Sequence, residues 1–181
     1  MSKKLESITP ELKSFIEQQK MFFVGTAMPE GAVNVSPKGM DSLRVLHQNK
    51  LVWLNLTGSG NETATHLQNT NRITIMFCAF EGKPLILRLY GNAKVYHERD
   101  AKYKEYVDLF STSVGARQII EVDISLVQTS CGFAVPLLDY KEERTILRDW
   151  ADKKGKEGIR DYWEEKNTVS LDGHETGIFK N

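Results

Sequence analysis

β-Prone runs follow one another through this chain with few helical patterns between them, and that order restricts the fold more than any single motif. Phe22-Phe23-Val24-Gly25-Thr26-Ala27 is rich in strand formers, Pro29-Glu30-Gly31 is turn chemistry, and Val33-Asn34-Val35 alternates apolar with polar residues. Leu43 to Leu46 and Leu51 to Leu56 read as a hairpin about Gln48-Asn49-Lys50. Ile73 to Phe80 and Leu85 to Tyr96 read as two long strands joined by Glu81-Gly82-Lys83-Pro84. Gln118 to Val127 adds another, with Ile120, Val122, Ile124 and Leu126 on one face. A doubly wound sheet needs a helix after nearly every strand. The succession here predicts a mainly β protein with flanking helices, an antiparallel barrel of roughly six strands.

The helical patterns are few and well marked. Thr9-Pro10-Glu11 combines a hydroxyl N-cap, a proline in the first turn and an acid for the helix dipole. Leu12, Phe15 and Ile16 give that helix an apolar face ending near Lys20. Asn61 to Asn69 reads as a short helix capped by Asn61, and Asp100 to Phe110 spaces Tyr103, Tyr106, Val107 and Phe110 helically. Past Pro136 the composition turns charged. Lys141 to Lys166 reads as a helix interrupted near Gly155 and Gly158, with Ile146, Leu147, Trp150, Tyr162 and Trp163 as its apolar contacts. Asn167 to Asn181 is polar and reads as an arm or loop. The expected organisation is a barrel domain over 1–136 with its N-terminal helix, and a helical appendage and arm over 137–181 of the same domain.

Composition restricts the partners. The 181 residues suit one domain with a real core, and 24 Lys+Arg balance 24 Asp+Glu, so no net field draws the chain to nucleic acid or to a membrane. No apolar run approaches the roughly 20 residues that span a bilayer. The polar start Met1-Ser2-Lys3-Lys4-Leu5-Glu6 does not read as a secretory signal. Cys78 and Cys131 are expected to be buried reduced thiols, which places the protein in the cytoplasm. No His-x-x-x-His or Cys/His cluster has metal-ligand spacing, so no metal site is expected.

Two short segments could carry chemistry. Ser36-Pro37-Lys38-Gly39 reads as a cationic turn, in which proline fixes the approach and glycine lets a ligand come close to the backbone. Thr57-Gly58-Ser59-Gly60-Asn61-Glu62-Thr63 is a hydroxyl-rich glycine turn opening onto a helix. It is not a P-loop, since Gly60 is followed by Asn61 rather than lysine, and it lacks the third glycine of a dinucleotide fingerprint. Either it is a tight strand-to-helix connection, or its freed N–H groups and hydroxyls hold a phosphate. Arg88, set between Leu87 and Leu89, either faces solvent by alternation or pairs with an anion. Arg72 is a weaker candidate of the same kind, and His66, one helical turn after Thr63, either shares its face or is a structural or solvated histidine.

The two turns, together with Met76-Phe77-Cys78-Ala79-Phe80, Ile86-Leu87-Arg88-Leu89-Tyr90-Gly91 and Ser130-Cys131-Gly132-Phe133-Ala134-Val135-Pro136, resemble in order and wording the pyridoxamine 5'-phosphate oxidase-like family of FMN-binding split barrels. The resemblance covers about Phe22 to Pro136. It implies an FMN-dependent oxidoreductase acting on a small molecule, with NADH or NADPH as a candidate electron donor. It also implies a homodimer with the flavin between subunits. Carried onto this sequence, the cofactor contacts are Ser36, Pro37, Lys38, Gly39, Thr57, Ser59, Asn61, Thr63 and Arg88, with Arg88 a candidate for reaching the second subunit's site. No catalytic residue is assigned.

The tail departs from the family pattern. Gly173-His174-Glu175-Thr176-Gly177-Ile178-Phe179 lacks the Arg-x-His element that holds the substrate in true pyridoxamine 5'-phosphate oxidases, so poor oxidation of that substrate is expected. Two other readings stay open: a flavin-binding carrier or sensor without turnover, and a split barrel that binds another planar cofactor, such as haem or a deazaflavin.

Overall fold

The computed structural model describes residues 2–111 and 114–180. Its strands are β1 (Lys3–Leu5), β2 (Phe22–Thr26), β3 (Asn34–Lys38), β4 (Leu43–His47), β5 (Lys50–Leu56), β6 (Arg72–Cys78), β7 (Ile86–Tyr96) and β8 (Ala116–Ser130). Its helices are α1 (Pro10–Gln18), α2 (Glu62–Thr70), α3 (Ala101–Val107) and α4 (Ile146–Lys166). All pairings are antiparallel, in the order β3-β2-β6-β7-β8-β5-β4, with β1 also on β8. The sheet therefore has eight strands rather than six, and it is not closed. Of these, only the short β1 falls outside the β-prone runs of the sequence.

β8 is the spine. β7 pairs along most of its 15 residues, while on its other edge β5 takes the first half and β1 the last residues. Leu51 and Trp53 enter the main core, whereas Val52 and Leu54 pack with Tyr103, Tyr106 and Phe110 from α3 and the residues after it. Both faces of β5 are thus covered, which explains an unbroken apolar run where a half-exposed strand would alternate. In the main core Phe22 stands edge-on to Trp53 at 6.1 Å and tilted on Phe77 at 5.9 Å.

Local departures from the expected pattern have local causes. A bulge opposite Tyr90 and Gly91 skips Ser125, so Val127 rather than Leu126 follows Ile120, Val122 and Ile124 into the core. Ser36-Pro37-Lys38 is not a turn but the end of the edge strand β3, where a proline without an N–H is tolerated. The turn comes next, with Met40 and Asp41 at φ 61° and 52°. Thr9 caps α1 as expected, its hydroxyl accepting the Leu12 N–H at 3.3 Å. Asn61 stands at the N-cap of α2, as expected, but its side chain makes no capping hydrogen bond. The last long helix begins at Ile146 rather than Lys141, and it kinks where Gly155 takes φ 67°. Cys131 is exposed, contrary to expectation, and Cys78 is buried, which pushes its thiol pKa up. Among the described residues no helix is long and apolar enough to cross a membrane.

The polar tail is not a loose arm. Asn167, Ser170 and Thr176 are buried, and Val169 bridges Glu175 across a small loop. The loop is stapled to the barrel at three places. Asp172 accepts the Ala32 N–H at 2.9 Å, Glu62 accepts the Leu171 N–H at 3.1 Å, and the Gln68 amide donates to the Thr176 carbonyl. α4 and the tail thereby form one wall of the cavity described next.

Candidate functional site

Ser36, Pro37, Lys38, Gly39, Thr57, Ser59, Asn61 and Thr63 all line one cavity of about 710 Å³. β3 brings the first group and the β5–α2 connection brings the second. Leu147, Lys166, Val169, Ser170 and Leu171 close it from the appendage side. Arg88 is not there. It is half-buried on β7, opposite Gln128 and Met76, and donates to the Ser130 hydroxyl at 3.1 Å. Arg72 lies apart as well, with Nη2 3.5 Å from the Ala27 carbonyl.

Thr63 is held from behind. The Asn34 amide donates to Thr63 Oγ1 at 3.1 Å and to Thr26 Oγ1 at 3.0 Å, and His66 Nδ1 lies 3.0 Å from the same Thr26 oxygen. Accepting from Asn34 leaves the Thr63 hydroxyl proton for a partner in the cavity. His66 is thus a buried support of this network, and it does not line the cavity.

The most telling residue was not singled out in the sequence. Arg117, at the start of β8, lines the cavity with only 3% of its surface exposed. Its Nη1 donates to the Gly60 carbonyl at 2.9 Å and to Asn167 Oδ1 at 2.6 Å, while its Nε has no partner. Burial lowers its pKa to about 10. Lys38 is affected likewise: burial first, then the Arg117 charge, lowers its pKa to about 8. The Lys38 ammonium lies 5.6 Å over the Trp53 ring. Among the described residues neither cation has a carboxylate within ion-pair distance.

A buried arginine and a half-buried lysine on one cavity without a counter-charge make a site that wants an anion. Ser36 Oγ and Arg117 Nε are buried donors without a partner, and the Asn55 and Asn61 amide oxygens are buried acceptors without one. The lining thus suits a ligand bearing both an anionic group and hydroxyls. Glu62 is the one carboxylate among the lining residues, and it is engaged by the Leu171 N–H.

An open antiparallel sheet with flanking helices and a polar cavity against the first long strand-to-helix turn defines a split-barrel protein. The chain belongs to the pyridoxamine 5'-phosphate oxidase family, whose model matches residues 8–131. The pyridoxamine 5'-phosphate oxidase family protein ustO of Aspergillus flavus is 43% identical over 139 residues, which cover 74% of this chain and 56% of that protein. The chain therefore spans little more than half the length of that relative. Among solved structures, HupZ of Group A Streptococcus superposes with a TM-score of 0.51 at 21% identity, over 66% of this chain and 91% of that one. The FAD binding protein from Mycobacterium smegmatis superposes with a TM-score of 0.50 at 8% identity, over 70% and 97%. Likenesses this distant show the fold.

Proposed function

We propose that this protein binds flavin mononucleotide in the cavity and acts as an FMN-dependent oxidoreductase on a small molecule, as a cytoplasmic homodimer. The observation that carries the reading is the pair Lys38 and Arg117, a half-buried and a buried cation without a carboxylate partner among the described residues, on a wall that also holds Ser59 and Thr63. Thr63, Ser59 and Arg117 would hold the phosphate. Lys38 would supply positive charge that favours a reduced, anionic ring, and Ser36, Asn55 and Asn61 offer unpaired polar atoms for the remaining hydroxyls and ring edges. Bound there, the flavin would supply two-electron redox chemistry that no side chain can provide. The Mycobacterium smegmatis protein, described as FAD binding, supports a flavin as the ligand class.

The absorption spectrum of the purified protein, followed by titration of the apo form with FMN, FAD and riboflavin, tests the reading. Thr63→Ala removes one hydroxyl from a charged acceptor, a loss of roughly 1.5–3 kcal/mol. FMN should bind about tenfold to a hundredfold more weakly, with riboflavin nearly unchanged. A colourless protein that binds none of the three overturns the proposal. Equal losses for FMN and riboflavin would assign the turn to the fold instead.

A second reading, a flavin carrier or sensor without turnover, is favoured by one feature. The lining residues provide no uncommitted carboxylate and no histidine for acid–base chemistry. Turnover with NADH or NADPH as electron donor separates the two.

A further inference from the structure

We infer that Asn167, the residue that ends α4, is a positioning residue that fixes Arg117 against the glycine turn, so that the C-terminal appendage sets the preference for a phosphorylated ligand. The inference rests on the phosphate reading above. Asn167 is fully buried, and its one amide serves two neighbours. Oδ1 accepts from Arg117 Nη1 at 2.6 Å, and Nδ2 donates to the Gly58 carbonyl at 3.1 Å. Arg117 in turn donates to the Gly60 carbonyl at 2.9 Å. The Gly58 and Gly60 carbonyl oxygens are thereby engaged, while among the described residues the Ser59 and Gly60 N–H groups engage no acceptor. A turn whose carbonyls are tied back in this way offers its N–H groups to an anion.

Asn167 is itself held tightly. Its N–H bonds to the Trp163 carbonyl at 2.9 Å, and its carbonyl accepts from the Thr176 hydroxyl at 2.5 Å. Trp163 Nε1 donates to Thr57 Oγ1 at 2.8 Å, which fixes the other end of the turn to the same helix. A neutral amide is the right group for this place. It accepts from the guanidinium without cancelling its charge, and it still has a donor for Gly58. A carboxylate there would pair with Arg117 and neutralise it.

The test is the ratio of FMN to riboflavin affinity in the full chain. Asn167→Ala should lower that ratio about tenfold, and Asn167→Asp should lower it at least as much although it is nearly the same size. A merely structural role would lower both affinities together and leave the ratio alone. Thr176→Val, which removes the hydroxyl that holds the Asn167 carbonyl and spares the amide, should give a smaller loss in the same direction and serves if the Asn167 variants fail to fold. Unchanged ratios in these variants, with a lowered ratio in Arg117→Met, would overturn the role of Asn167 and leave the phosphate reading standing. Unchanged ratios in Arg117→Met and Thr63→Ala as well would overturn both.

Discussion

At the scale of single residues, Lys38 links stability to binding, with opposite pH trends. Burial and the Arg117 charge lower its pKa from 10.5 to about 8, a penalty on the charged form of roughly 3 kcal/mol, less where solvent reaches the ammonium. Between about pH 8 and 10.5 the unfolded chain therefore holds more protons than the ligand-free folded one, so stability of that form should rise with pH across this window. Affinity for FMN should move the other way, falling above about pH 8 as the Lys38 ammonium is lost. Lys38→Met removes both trends: the ligand-free protein should melt higher at neutral pH, and FMN should bind more weakly. Melting temperatures and dissociation constants from pH 7 to 10 check this. A parallel pH slope of melting in the variant and the parent would sink the idea.

At the scale of elements, one glycine carries much of the β7–β8 pairing. A Cβ on Gly91 would stand 2.1 Å from the Asp123 carbonyl oxygen, at the bulge that turns the register. Gly91→Ala must displace backbone and should cost about 3 kcal/mol or more. Gly58, whose added Cβ meets nothing within 4 Å, is the control, and thermal melts of the two should differ by several degrees. The same contrast shows what a sequence discloses. β5, β6, β7, α1 and the glycine turn were legible because their signals are local: alternation, a cap, a cluster of Gly, Ser and Thr. Asn167 and Arg117 were not, because 50 residues separate them and the reason for their burial is each other. The polar stretch from Asn167 onward reads as an arm or loop, but in the structure its polar groups bond to one another and to the sheet domain. Arg117 stands between Ala116 and Gln118, just before the run that reads as a strand, so it lacks the apolar flanks that single out Arg88.

At the scale of the molecule, the exposed apolar groups bear on the proposed homodimer. Phe133 is 81% exposed, Leu137 75% and Ile146 69%, along the irregular segment that joins β8 to α4. Val33 and Val35 are exposed at the start of the edge strand β3. Apolar groups gathered along one segment in this way mark an association surface more often than a bare monomer face. Arg88 belongs to this argument. It lines no part of its own chain's cavity, yet it is half-buried beside Ser130, immediately before that segment. If two chains share the flavin sites, Arg88 can act on the partner's ligand, and affinity must depend on association. Light scattering over a dilution series should show a dimer, and FMN release should track its dissociation. Arg88→Ala should weaken FMN about tenfold without lowering the melting temperature of the ligand-free protein. A dilute monomer that holds FMN as tightly as the concentrated protein, with Arg88→Ala indistinguishable from it, would show that each chain completes its own site.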